Sequence, residues 1–158
     1  MQAILDKIAV LTLEARGLRV YSSVSVQQAP VAVGALFAHD ERGPYYVFPT
    51  SHGSPPASVD AFVANGKYCF AILASKPNEV RVCPAGVEGI GHSSLTRNGP
   101  VLYAGTVTFD QGRLISWNND TGHYRTEVGN AAQAGIVPVD TLQHALLPLS
   151  KFVAFTVV

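Results

Sequence analysis

The chain has 158 residues, no net formal charge, 47% apolar and only 14% charged side chains. That length suits a single domain spanning 1–158, which buries roughly 70% of its unfolded surface and needs no disulfide or metal to hold a core. Zero net charge without any Lys/Arg run excludes a phosphate-neutralising groove, so no nucleic-acid partner is expected. The sparse charge leaves apolar surface for a partner to cover.

Residues 3–15 read as a helix, because Ile4, Leu5, Ile8 and Leu11 recur at three-to-four spacing, and Gly17 ends it. Asp6, Lys7 and Glu14 break up any signal-peptide core in this stretch. Leu18–Val26 alternates as a strand. Val31–His39 is a short apolar run, and the turn 40–44 leads into Tyr45–Pro49 as its hairpin partner. The segment 50–56 is a Ser/Gly/Pro loop, and Ser58 caps a short helix through Val63. Lys67–Ala74 and Glu79–Cys83 are strands joined by the turn Lys76-Pro77-Asn78, and Pro84–Ile90 is a loop. The clearest hairpin is Val101–Phe109 with Arg113–Trp117, closed by Asp110-Gln111-Gly112. Residues 139–147 suit a helix and Lys151–Val157 a closing strand. Hairpins dominate and no βαβ alternation appears. The expected class is therefore α+β, a mostly antiparallel sheet with two or three short helices. No apolar run reaches the ~18 residues of a membrane span, so a soluble domain with no membrane partner is expected. Export, if it occurs, would use a route the sequence does not show, or the domain was cut from a longer chain.

Two clusters carry candidate chemistry. Gly91-His92-Ser93-Ser94 lies before a strand and sets a titratable ring beside two hydroxyls, which suits a general base or a phosphate or ribose contact. Such clusters are common, and by spacing alone the plainer reading leads: Ser93 and Ser94 satisfy backbone groups in a turn and His92 packs at a strand edge. Asn118-Asn119-Asp120-Thr121-Gly122-His123-Tyr124-Arg125 follows a strand. Asn118 to Gly122 alone make a turn; His123, Tyr124 and Arg125 add a titratable ring, a phenol and a fixed cation, which together suit an anionic ligand. Here too a loop pinned by buried hydrogen bonds is the competing reading. Asp120 is placed to orient His123. The histidines lack paired-ligand spacing, so no metal site is expected. Cys69 sits in an apolar strand and reads as packing. Cys83, at a strand end before Pro84, is the more plausible nucleophile of the two, although no motif supports it.

The order Lys67-Tyr68-Cys69-Phe70-Ala71-Ile72-Leu73, Gly91-His92-Ser93-Ser94, Ala104-Gly105, Gly112, Thr121-Gly122-His123-Tyr124-Arg125 resembles the conserved domain of plant IQM-type calmodulin-binding proteins. Those carry an HSSF…G…AG…G…SGHYRP pattern after an aromatic-rich strand, and similar segments occur in bacterial proteins that look like effectors or toxin tips. The resemblance covers about 67–147. His92, Ser93, Ser94, Gly122, His123 and Tyr124 match the pattern. Leu95 replaces its Phe, Thr121 its Ser, and Thr126 its Pro. No IQ motif is present, so calmodulin is not an expected partner.

The expectation that follows is an effector- or toxin-type catalytic domain, a transferase or hydrolase, that a secretion system delivers into a target cytoplasm. Its partner would be a host or competitor-cell protein or small molecule. His92, Ser93, Ser94, His123 and Tyr124 would be catalytic, and Asn119, Asp120, Thr121 and Arg125 would bind substrate. A nucleotide-type substrate such as NAD in group transfer is compatible with that set. The alternative is a non-catalytic ligand- or protein-binding module in which both motifs are structural.

Overall fold

The computed structural model describes residues 2–24, 28–29, 33–40, 42–49, 62–135 and 146–155. Helix α1 (Gln2–Ala15) leads into strands β1 (Gly34–Ala38), β2 (Tyr45–Pro49), β3 (Phe62–Val63), β4 (Gly66–Leu73) and β5 (Arg81–Pro84). A five-residue helix α2 (His92–Thr96) follows, then β6 (Val101–Asp110) and β7 (Arg113–Asn118). Two 3-10 segments, Val128–Gly135 and Leu149–Lys151, complete the described chain. The seven strands form one sheet in the order β3-β2-β1-β5-β4-β6-β7, and every pairing is antiparallel. The fold is α+β.

The β6–β7 hairpin forms as the alternation predicts. Gln111 and Gly112 make its two-residue loop, and both have positive φ (48° and 80°), the backbone that matches the twist of paired strands. This turn also links the two ends of the sheet. Tyr45 N–H donates to the Gly112 carbonyl (2.8 Å), Gly112 N–H to the Ala64 carbonyl (2.8 Å), and Gln111 N–H to Asn65 Oδ1 (3.0 Å). The sheet is therefore curled, with its β2–β3 end drawn against the β6–β7 turn.

Residues directly opposite one another in the ladder share a face, and faces alternate along each strand. One face carries Tyr68, Phe70, Ile72, Tyr103, Val107 and Trp117, by register. It is the concave face, and its rings fill the core. Trp117 is fully buried, stacks on Phe152 at 4.7 Å and meets Phe70 and Tyr103 edge-on. Its indole N–H donates to the Pro148 carbonyl (2.8 Å), so the one polar atom of the ring is satisfied. Tyr45 and Tyr68 both pack on Phe109. The other face carries Cys69, Ala71, Arg81, Cys83, Ala104 and Thr106. Helix α2 lies on this outer face, where Arg81 Nη1 donates to the Leu95 carbonyl (3.2 Å).

Several expectations are corrected. Residues 18–24 form no strand; Tyr21 makes only an isolated bridge to Val101, and 25–27 lie outside the described residues. Phe62–Val63, expected to end a helix, is a strand on β2, and the loop 50–56 and the helix start at Ser58 lie outside the described residues. The helix expected over 139–147 falls largely outside them too, and Leu146–Leu147 is a bend. Phe152 makes a single bridge to Trp117, and 153–155 form no strand. In that segment Phe152 is held by its ring stack on Trp117, so a ladder is not what anchors it.

Helix α1 forms as expected and ends in a Schellman motif. Leu18 N–H donates to the Leu13 carbonyl and Gly17 N–H to the Glu14 carbonyl, with Gly17 at φ +80°. Its periodic residues nevertheless point away from the sheet: Ile4, Leu5, Ile8 and Leu11 are exposed, while Leu13 is buried with Ala9 and Val10 partly so.

Candidate functional site

The first cluster does not lie before a strand as a turn; His92–Thr96 is a helix and all five residues are buried. Gly91 precedes it. Ser94 Oγ accepts from the Gly91 N–H (3.2 Å), while Ser94 N–H donates back to the Gly91 carbonyl (3.0 Å). A serine three residues into a helix therefore closes its first turn, as a capping box does. Arg97 and Asn98 then adopt left-handed backbone (φ 50° and 65°), which stops the helix.

His92 sits with its ring over β6. Its Nε2 is 2.6 Å from the Gly105 carbonyl oxygen. A carbonyl only accepts, so Nε2 carries the proton and, in the neutral ring, Nδ1 carries the lone pair. Burial pushes the imidazole below its ordinary range, against the pull of the Gly105 carbonyl. Nearby His123 lowers it further and Asp120 raises it. The ring is thus neutral, with a fixed tautomer. Gly105 also lets the end of β7 pass close to β6, since a Cβ there would overlap the Asn118 carbonyl oxygen.

Ser93 is fully buried. Its Oγ accepts from the Gln28 N–H (2.8 Å) and donates to Gln28 Oε1 (3.1 Å), so its proton is already committed. Ser94, as above, holds the helix start. The two hydroxyls expected to be catalytic therefore fasten α2 to its surroundings.

The second cluster is a loop wrapped beside α2. Asn118 Oδ1 accepts from the N–H groups of Thr106 (3.1 Å) and Asp120 (2.9 Å), turning the chain off the end of β7. Asn119 is buried: its Nδ2 donates to the Thr126 carbonyl (3.0 Å) and its Oδ1 accepts from Phe155 N–H (2.8 Å). Thr121 Oγ1 accepts from the Tyr124 N–H (3.4 Å). Thr126 Oγ1 donates to the Ala104 carbonyl (2.7 Å). Asn119 and Thr121, expected to bind substrate, are thus engaged in holding the loop.

Tyr124 joins the two clusters. Its hydroxyl donates to the Gly99 carbonyl (2.6 Å) and lies 2.6 Å from Thr96 Oγ1. Each hydroxyl has one proton. With the phenol proton on Gly99, the Thr96 proton points to Tyr124, and the longer Thr96 contact to the His92 carbonyl (3.2 Å) is left weak. Burial pushes the phenol up to about 12, so Tyr124 stays a donor at neutral pH and is no base.

His123, Asp120 and Arg125 remain. His123 and Asp120 are half-buried, and both stand close enough to His92 for their charge to bear on it. The His123 carbonyl accepts from Val24 N–H (2.8 Å), which pins the backbone, and among the described residues its ring makes no hydrogen bond. Arg125 is exposed at φ +49°, and its guanidinium likewise has no side-chain partner among the described residues. Asp120 and His123 thus both lie within electrostatic reach of His92. Among the described residues no group of three or more His, Cys, Asp or Glu side chains could hold a metal ion.

The residues that sequence reasoning missed are those that do the holding: Gln28, Thr96, Gly105, Asn118 and Thr126. Of these, Asn118 carries a signal as a turn-forming residue at a strand end, and Gly105 and Thr126 fall at positions of the motif pattern; Gln28 and Thr96 carry none. Fold and site together define a curled antiparallel α+β sheet with a histidine-bearing cluster on its outer face. A scan against protein-family models, a search of curated proteins and a search of solved structures each found no match for this chain.

Proposed function

We propose that the chain is an effector- or toxin-type catalytic domain in which His123 moves the proton. The observation that carries this is the division within Thr121–Arg125. Thr121 and Tyr124 are bound into the network, whereas the His123 ring and the Arg125 guanidinium have no hydrogen-bonding partner within it. A half-buried imidazole whose backbone carbonyl is pinned by Val24 N–H, set beside a neutral, buried His92 and Asp120, suits general acid–base work. Arg125 supplies a fixed cation for an anionic or nucleotide-type substrate such as NAD. The reaction class is group transfer or hydrolysis. In this reading Ser93, Ser94 and Tyr124 build the site and do not react. The resemblance of His92-Ser93-Ser94 and Gly122-His123-Tyr124 to effector-like bacterial proteins supports the same class.

A second reading is a non-catalytic ligand-binding module. It is favoured by the full internal engagement of Ser93, Ser94, Asn119, Thr121 and Tyr124.

Inducible expression in a bacterial and a eukaryotic cytosol separates the two. The catalytic reading expects the wild type to arrest growth of at least one host and a His123→Ala variant of unchanged melting temperature to leave growth normal. If the wild type harms neither host, or His123→Ala is as harmful as the wild type, the catalytic reading fails.

A further inference from the structure

By sequence Cys69 reads as a packing residue in an apolar strand and Cys83, at a strand end, as the more plausible nucleophile. The structure reverses their exposure and pairs them. Cys83 is buried, whereas Cys69 is half-buried. They are direct partners in the β4–β5 ladder. Two residues further out, Ala85 N–H donates to the Lys67 carbonyl (3.0 Å), which makes Lys67/Ala85 a hydrogen-bonded pair. Hydrogen-bonded and non-hydrogen-bonded pairs alternate, so Cys69/Cys83 is hydrogen-bonded as well. Pro84, with no N–H to give, falls at the non-bonded position opposite Tyr68. The α-carbons of a hydrogen-bonded antiparallel pair stand ~5.5 Å apart. A disulfide spans ~4.4–6.8 Å between α-carbons, so that separation is met; the β-carbons of a facing pair, ~4.5–5.5 Å apart, close by about 1 Å when the bond forms.

Both side chains lie on the outer face, the face that carries α2 and His92. The Cys83 thiol hydrogen-bonds to Cys69 and favours its thiolate; burial and Asp120 oppose this, and Lys67 assists. The same contact pushes Cys83 up. Exposure and charge therefore give the two sulfurs different parts.

We propose that Cys69 and Cys83 form a thiol–disulfide exchange site on the outer face, with Cys69 attacking and Cys83 resolving, whose substrate is a small disulfide of the glutathione type. The Cys69 thiolate attacks one sulfur of the small disulfide. A mixed disulfide forms on Cys69 and one small thiolate leaves. Cys83 gives up its proton and attacks the Cys69 sulfur, expelling the second small thiolate. The balance is one protein dithiol plus one small disulfide giving one protein disulfide plus two small thiols, so the protein is oxidised and the small disulfide reduced. This site does not depend on the proton chemistry assigned to His123.

The test uses the whole chain incubated with oxidised glutathione, acid-quenched, denatured, alkylated and weighed intact. The wild type is expected to lose both free thiols without gaining mass from glutathione, as a monomer. Cys83→Ser is expected to trap one glutathione per chain, and peptide mapping to place it on Cys69. Two thiols still free in the wild type, a stable glutathione adduct in place of an internal disulfide, or a disulfide-linked dimer would each overturn the proposal. An adduct on Cys83 in a Cys69→Ser variant but none on Cys69 in Cys83→Ser would overturn the assigned order. The wild-type result stands whether or not either variant folds.

Discussion

The two faces of the sheet are buried by different means. On the concave face, rings contact rings: Trp117 lies among Phe70, Tyr103 and Phe152, and its single polar atom is satisfied by Pro148. On the outer face, Ala71 and Ala104 carry almost no side chain, and what covers the sheet there includes a short helix of His, Ser, Ser, Leu and Thr. Every hydroxyl in that helix is hydrogen-bonded. The first face derives its stability from buried apolar area, the second from the completeness of a polar network. A network held this way positions groups more finely than an apolar layer does, and the outer face is where the histidines sit.

Substitutions on the two faces should therefore differ in size and in kind. Trp117→Ala removes the centre of the aromatic layer and leaves a cavity, and should cost about 3–5 kcal/mol in urea unfolding. Tyr124→Phe keeps the ring but strips the hydroxyl shared by Thr96 and Gly99, both buried or partly so; about 1–3 kcal/mol should be lost. A near-zero cost for Tyr124→Phe would mean that the two clusters are not joined through it.

His92 sharpens the contrast through pH. Its folded-state pKa lies below the usual ~6.5, so the unfolded chain binds the proton more readily. Its contribution is fully present above ~6.5 and is lost as pH falls below that value, by at most about 1.4 kcal/mol per pH unit. Urea midpoints at pH 7.5 and 5.5 should therefore fall further in the wild type than in His92→Gln. Equal slopes in the two proteins would show that the ring is not held neutral.

Much of the concave face was legible in the sequence, because strand alternation and the Asp110-Gln111-Gly112 turn are local signals. The outer face was legible only as a list of residues. Five residues are too short to show helical periodicity, so α2 looks like a turn in the sequence. Its closure depends on Ser94 reaching back to Gly91, which looks like any Ser-rich loop. Ser93 reads as catalytic because its partner, Gln28, lies 65 positions away and gives no local sign of holding it. The α1 pattern identified a helix but not what faces it, since periodicity reports a stripe and not its cover. The cysteine pairing could have been found. Lys76-Pro77-Asn78 is a legible turn, and a hairpin folded about Lys76 sets Cys69 opposite Cys83.

The smallest expected effect is also the most informative. His123 and Tyr124 are neighbours in one motif, yet only Tyr124 is bound into the network through its side chain. Equilibrium denaturation of His123→Ala beside Tyr124→Phe, under one set of conditions, tests that division directly. His123→Ala should stay within about 0.5 kcal/mol of the wild type while Tyr124→Phe falls well below it. A His123→Ala loss as large as that of Tyr124→Phe would contradict the division and make His123 one more strut of the loop.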